Sequence, residues 1–324
     1  MNNRVFMWSC LVMTFFVACQ QAEVENSKAE ELPMSISASI NNQVEPPKSR
    51  YAGNDPSDVY FVQDDAIGLF IDDKQATEWI FDGVYWSLAD NGIVYWPDKT
   101  NPHTFRAFYP YASATSYKEI PMPSLVNQTG TMDDLGAYDF LVATSEQTYS
   151  TGGLVHFDGD DTSFRHVSTL LHLSFQKGSE LNDLTIHKIT LEGNDIVSPS
   201  TYSFAYDDKE AKVTLDSDNA VNVLTVDQTS LSEKSASFYL IVNASQEETP
   251  VVALTVEYET NGKTYSAHSD NIVQTGLVGG MYQKYTITVL NSSLVIDGTK
   301  ILPWGVGESL DDIEINGEEN TESE

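Results

Sequence analysis

Histidines and carboxylates are the side chains of this sequence that could carry catalysis or bind a metal. The six histidines lie at positions 103, 156, 166, 172, 187 and 268, without the spacing that brings metal ligands together on one element. The H-E-x-x-H, G-x-S-x-G and G-x-x-x-x-G-K motifs are absent from the sequence as well. We therefore expect no catalytic site, no cofactor and no metal site, and we favour core or surface positions for the histidines.

Acidic clusters are a second group that could bind a ligand. The densest is DGDD at residues 158–161, and adjacent Asp pairs occur at 64–65, 72–73, 133–134, 207–208 and 311–312. A calcium ion takes about six to eight oxygen ligands, and no cluster has the spacing of an EF-hand loop. Because Asp readily hydrogen-bonds its own backbone, turn formation is the preferred interpretation.

Aromatic residues concentrated before residue 125 could form a platform on which sugars stack. They are Trp79, Tyr85, Trp86, Tyr95, Trp96, Phe105, Phe108, Tyr109 and Tyr111. Their alternation along strand-like runs favours packing of most of them in the core or at an edge.

Net charge excludes two classes of partner. The 324 residues include 48 Asp and Glu against 17 Lys and Arg, which gives a formal charge of -31. Such a chain repels nucleic acid and anionic membrane surfaces, so we expect neither as a direct partner.

The N-terminus has the features of an export signal. Arg4 precedes an uncharged run, residues 5–18, that is too short to span a membrane as a helix. The run ends in the sequence FVAC, which resembles the lipobox of bacterial lipoproteins. We expect residues 1–18 to be a lipoprotein signal peptide, Cys19 to carry lipid as the only Cys of the mature chain, and residues 19–32 to be a flexible tether. A plain signal peptide cleaved elsewhere is the alternative.

The remaining sequence has the pattern of an all-β protein. Short apolar or alternating runs recur between turn signals, at 67–71, 104–111, 169–175, 184–191, 200–206, 211–215, 237–242 and 282–290. Asn91-Gly92 and Asn261-Gly262 predict two hairpins. A shift in composition near residue 162 predicts two β-sandwich domains, 33–161 and 162–305, followed by an acidic tail, 306–324.

Residues 34–40 form a strand-like segment in an unusual position. Met34, Ile36, Ala38 and Ile40 alternate with serines, which predicts a strand with one buried face. The segment lies between the expected tether and Arg50, which follows two prolines in a stretch that we expect to be exposed. It is either a permanent first strand or one that proteolysis removes.

Five segments in order resemble the fimbrillin-like family, the subunits of type V pili of Gram-negative bacteria. They are DDAIGLFI from residue 64, NGIVYWPDKTNPHTFRAFYPYAS from residue 91, SFRHVSTLLHLSF from residue 163, GGMYQKYTITVL from residue 279 and LVIDGTKILPW from residue 294. The resemblance implies two transthyretin-like antiparallel β-sandwich domains in an exported outer-membrane lipoprotein.

The resemblance also implies assembly by strand exchange, in which a protease removes the first strand after an Arg and a strand of another subunit fills the groove. Here the removable strand would contain Met34, Ile36, Ala38 and Ile40, and cleavage would follow Arg50, with Lys48 as a second basic candidate. The donor-strand candidates are Leu294, Ile296, Ile301 and Trp304; that they form the last strand of their own domain is an equal alternative.

The leading hypothesis is therefore a non-enzymatic stalk or tip subunit of a cell-surface fimbria. Its partners would be other fimbrial subunits, and it would contact the membrane only through the lipid anchor. The alternative is a surface-anchored adhesin or glycan-binding lipoprotein that binds a host or bacterial surface ligand and does not polymerise.

Overall fold

Nearly all of the regular structure consists of β-strands. The computed structural model describes residues 31–40 and 59–304, except positions 208, 232, 246, 248, 274 and 275. In chain order its strands are β1 (Ser35–Ala38), β2 (Ala66–Ile71), β3 (Thr77–Phe81), β4 (Trp86–Leu88), β5 (His103–Tyr109), β6 (Ile120–Pro121), β7 (Leu141–Gln147), β8 (Leu154–Phe157), β9 (Arg165–His166), β10 (Thr169–Lys177), β11 (Thr185–Gly193), β12 (Ser200–Ser203), β13 (Lys212–Leu215), β14 (Val223–Asp227), β15 (Ser237–Val242), β16 (Val252–Thr260), β17 (Lys263–Ser269), β18 (Met281–Val289) and β19 (Leu294–Pro303). Two short 3₁₀ helices lie at Met132–Ala137 and Ser217–Asn219.

The first half of the described chain is built on a six-stranded antiparallel sheet with the order β4-β3-β2-β5-β7-β9. Phe105 and Ala107 of β5 point from one face of this sheet into the main core. Phe70 and Phe108 pack in a second apolar cluster with Tyr202 and Phe204 from β12 and its end. The sheet is therefore buried on both faces near its centre.

The second half contains two four-stranded sheets, ordered β15-β10-β18-β19 and β14-β11-β16-β17. Strand β16 alternates strictly, and Leu254, Val256 and Tyr258 share one apolar core with Tyr285 and Ile287 of β18. The pairing is antiparallel except between β10 and β18. These features confirm the predicted all-β, antiparallel sandwich class. The domain boundary near residue 162 stays a prediction.

Only one of the two hairpins predicted from Asn-Gly pairs is present in the structure. Asn261 and Gly262 have φ angles of 53° and 68° and connect β16 to β17, as predicted. Asn91 also has a positive φ of 57°, but the run after it does not pair with β4. The amide of Trp96 instead donates to the carbonyl of Leu32, so the predicted hairpin at residues 91–92 is wrong. The run after Asn91 therefore pairs with a segment that is distant in the sequence, instead of with β4 as the turn signal predicted.

The Asp pairs mostly form turns, as expected. Asp64, Asp72 and Asp207 each have a positive φ angle, and residues 159–162 form a turn. Asp133 and Asp134 lie instead in the first turn of a 3₁₀ helix, and residues 311–312 are outside the described residues. In the described part of the chain, no three His, Cys, Asp or Glu side chains are arranged to hold a metal ion.

His172 is a titratable group within the packed sheet. Its ring stacks on Tyr239 at a centroid distance of 4.2 Å, and its Nδ1 lies 2.9 Å from the hydroxyl of Tyr282. Burial, with a smaller contribution from the charge of Lys284, lowers the pKa of His172 to about 4. The folded chain therefore holds this imidazole neutral at mildly acidic pH.

We predict a pH-dependent loss of stability from His172. Between pH 6.5 and pH 4 the unfolded chain binds a proton at this residue that the folded chain does not, so the free energy of unfolding falls as the pH falls. After allowance for partial solvent contact, the loss should be roughly 1–2 kcal/mol. Urea unfolding at pH 7.5 and pH 4.5 should show this loss of free energy of unfolding in the wild type and not in His172→Asn. The exposed-site control His268→Asn should show the same loss as the wild type.

Candidate functional site

Strand β1 is held by a parallel partner far away in the sequence. Ser35, Ile36, Ser37 and Ala38 pair in register with Leu154 to Phe157 of β8. Parallel neighbours cannot be joined by a tight turn, so long-range packing must bring these segments together. The predicted segment 34–40 therefore contains a strand, Ser35–Ala38, although its partner could not be read from local sequence.

Backbone hydrogen bonds extend this pairing beyond both ends of β1. Before the strand, the amide of Met34 donates to the carbonyl of Val94, and the amide of Trp96 donates to Leu32. After the strand, the amide of Phe164 donates to the carbonyl of Ser39 at 2.9 Å. The first segment thus lies between two walls, formed by residues 94–96 and by β8 with its continuation to residue 164. We call this space the β1 groove.

The side chains of β1 divide between the core and the surface. Met34, Ile36 and Ile40 are buried, with Ile40 only 1% exposed, and Ala38 packs half-buried against the same core. Full burial of an aliphatic side chain contributes about 1.5–3 kcal/mol, so the three buried residues anchor the segment firmly. On the outer face the Ser37 hydroxyl donates to the carboxylate of Asp158.

An aromatic cluster lies at the end of the groove where Ile40 is buried. Phe164 forms a parallel bridge with Ile40, and its ring is 5.1 Å from that of Phe61. Phe61 also contacts Trp86 edge-on at 5.0 Å. If β1 were removed, these packed rings would therefore form an apolar surface at this end of the groove.

Gly153 permits the close approach of the segment that leads into β1. It has a φ angle of 68°, and a Cβ atom there would lie 2.2 Å from the carbonyl oxygen of Pro33. Its own carbonyl accepts a hydrogen bond from the indole of Trp96 at 2.8 Å. Sequence reasoning missed the role of Gly153, although the pair Gly152-Gly153 just before a strand was an available signal.

The processing sites expected from the sequence cannot be placed in the structure. Cys19 and Arg50 both lie outside the described residues, as do the tail residues 306–324. No helix among the residues that the structure describes is long and apolar enough to cross a membrane.

Three of the donor-strand candidates lie in β19, an edge strand of its sheet, and Trp304 directly follows it. Leu294 and Trp304 are buried, whereas Ile296 and Ile301 are half-buried. The pairing with β18 shifts register near Asp297, so the strand contains a bulge. In this chain β19 completes its own sheet, and nothing in this arrangement places it in the β1 groove of the same molecule.

The predicted packing role of the aromatic residues is confirmed for most of them. Trp79, Trp86 and Trp96 are buried, and so are Phe105, Phe108 and Tyr109. Tyr85 is 72% exposed, and Tyr95 is exposed at the outer wall of the groove. The tryptophans of this part of the described chain therefore form no stacking platform on the surface.

Comparison with known proteins gives the family. A family model described as fimbrillin-like matches residues 47–304, which is more than half of the chain. The chain belongs to the fimbrillin-like family. None of the curated proteins matches it in sequence.

Solved structures of other bacterial proteins share this fold. A structure described as a cell adhesion protein of Bacteroides ovatus is 19% identical, with a TM-score of 0.56, and the match covers 86% of this chain and 98% of that one. Another, described in the same way, from Bacteroides uniformis, is 15% identical with a TM-score of 0.57, and covers 86% and 99% of the two chains. At these identities the likeness supports the fold, and the family supports a fimbrial subunit or adhesin as the class of function.

We predict that Gly153→Ala weakens the docking of β1. Alanine at this φ costs about 1 kcal/mol for the backbone alone, and the contact with the Pro33 carbonyl should add roughly 1–3 kcal/mol. Gly152→Ala is the matched control, because Gly152 also has a positive φ of 101° but no atom within 4 Å of an added Cβ. Urea unfolding of a chain that retains residues 32–40 measures both, and equal losses in the two variants would show that the close approach to Pro33 contributes nothing.

Proposed function

We propose that this chain is a structural subunit of a cell-surface fimbria that assembles by protease-triggered strand exchange. It is exported as a lipoprotein on Cys19, anchored in the outer membrane through that lipid, and cut after Arg50. The observation that carries the proposal is the β1 groove, in which a short N-terminal strand completes the core through a non-local parallel pairing. Arg50 lies in the stretch between Ile40 and Val59, where a single cut separates β1 from the rest of the domain.

Removal of β1 would create a specific acceptor for another strand. The carbonyls of Val94 and Phe157 and the amides of Trp96 and Phe164 would lose their partners, in addition to the β8 ladder. The carbonyl of Gly153 would keep only the indole of Trp96. Unpaired backbone groups beside apolar pockets favour addition of an extended segment, because hydrogen bonds supply affinity and alternating side chains supply register. The pockets of Met34, Ile36 and Ile40 would then select apolar residues at alternate positions.

The incoming strand would come from the C-terminal region of another subunit. Strand β19 is at a sheet edge and is bulged. Its Leu294, Ile296 and Ile301, together with Trp304 directly after it, are the side chains that could enter the groove. In this proposal the N-terminal domain, residues 33–161, receives the strand and the C-terminal domain, residues 162–305, supplies it. A stalk subunit and a tip subunit would differ in whether the chain both receives and supplies a strand.

A non-polymerising adhesin is the second candidate function. Val84, Tyr85, Ile93 and Tyr95 are exposed apolar side chains within a short stretch of the N-terminal domain. Such residues could contact a glycan or protein ligand on a host or bacterial surface. In that case β1 would be a permanent strand and the lipid tether would persist.

The Arg50→Ala variant tests the strand-exchange proposal. After treatment with an arginine-specific protease, the wild type should show an N-terminus at Tyr51 and form oligomers that resist heating in detergent. Arg50→Ala should keep residues 19–50 and stay monomeric, while Lys48→Ala, the matched control, should behave like the wild type. N-terminal sequencing and gel mobility of the same samples give both readouts.

Two outcomes would contradict the proposal. Oligomers that form equally well from Arg50→Ala would show that release of β1 is not required. A chain that is cut at Arg50, stays monomeric when mixed with other subunits, and binds immobilised glycans in a manner abolished by Tyr85→Ala would favour the adhesin.

A further inference from the structure

Strand β13 has an unpaired edge. It forms the border of the small sheet β13-β12-β6, with Thr214 opposite Thr201 and Val213 opposite Tyr202. The amide of Asp216 donates to the carbonyl of Pro199, so by alternation Thr214 and Lys212 also bond to β12. The amides and carbonyls of Val213 and Leu215 therefore point away from β12, and no residue in the described part of the chain pairs with them.

A cleft of about 680 Å³ runs along this free edge. It is lined by residues 211–215 and by Val167, Tyr202, Ala244 and Gly279. A neighbouring cleft of about 410 Å³ shares Val167, Tyr202 and Gly279 with it and is also lined by Arg165 and Trp304. The two clefts together make one groove that leads from Trp304 to the edge of β13.

We propose that the acidic C-terminal segment of the same chain, residues 305–324, binds in this groove and adds to β13 as a further strand. Trp304, the last described residue, lines the entrance, so the groove begins where the described chain ends. An extended chain spans about 3.3 Å per residue, which gives residues 305–315 ample reach to β13. This inference does not depend on strand exchange at the β1 groove.

The composition of the segment fits the groove. Ile313 and Ile315 alternate with Asp312 and Glu314. Val213 is on the same face of its sheet as Tyr202, whereas Lys212 is on the opposite face. An added strand can therefore place its isoleucines beside Val213 and its carboxylates beside Lys212.

Charge adds to this match. Residues 305–324 contain Asp and Glu at positions 308, 311, 312, 314, 318, 319, 322 and 324 and no Lys or Arg. The groove has Arg165 near its entrance and Lys212 at the edge strand, with Asp195 as a lining carboxylate that is already hydrogen-bonded to Ser198. In a chain of net charge -31, these are favourable sites for an acidic segment.

Hydrogen exchange of the Val213 and Leu215 amides in the full mature chain tests the proposal. Both amides should exchange slowly in the wild type and about tenfold faster in the double variant Ile313→Asp, Ile315→Asp, because the added strand no longer protects them. Lys212→Glu should also speed their exchange. Lys263→Glu is the matched control, since Lys263 is likewise the first residue of an edge strand, β17, in another sheet.

Each remaining outcome overturns the proposal. Equal exchange of the two amides in the wild type and in the Ile313, Ile315 double variant would show that the segment does not cover β13. Protection that disappears on dilution of the wild type would show that the segment comes from another copy of the chain rather than from the same one.

Discussion

The parallel pairing of β1 with β8 is the contact on which the strand-exchange proposal depends. It joins Ile36 to Val155, far apart in the sequence, and the segment places Met34, Ile36 and Ile40 in the core. Parallel pairing between remote segments is slow to form and is supported only by burial and the bonds that flank it. Strand β1 is the only described strand before β2. A single cut between these two strands therefore separates β1 from the rest of the chain.

In the proposed assembly, covered or uncovered strand edges decide whether the chain stays single or pairs with another chain. An uncovered edge invites pairing with other chains, and a chain of net charge -31 resists random association through repulsion. In the present account the β1 groove stays closed until cleavage, and the edge of β13 is covered by the acidic segment. Strand β19 is one of the other edge strands of the described chain, and its bulge disrupts part of its pairing with β18.

Sequence patterns were sufficient where the signal was local. The long strands β11, β16 and β18 were predicted because period-two alternation persists over many residues, and β10 was predicted by its apolar run. The turn at Asn261-Gly262 was predicted by its residue types. Strands β7 and β14 were missed, since polar residues dilute the apolar alternation of β7 and β14 is short. The β1 groove could not be predicted from local patterns, because its walls at residues 94–96 and 154–157 come from distant segments. The Asn91-Gly92 signal also predicted a different pairing for one of these walls.

A reversible disulfide across β1 and β8 tests the central claim most directly. Ser37 and His156 are partners in the parallel register and lie on the outer face, so Ser37→Cys with His156→Cys can form a crosslink without disturbing the core. After protease cleavage at Arg50, we predict that the oxidised variant stays monomeric with residues 32–40 retained, and that reduction releases them and permits heat-resistant oligomers. Oligomers that form equally well with the disulfide intact would contradict the claim that β1 must leave its groove before a neighbouring subunit can bind.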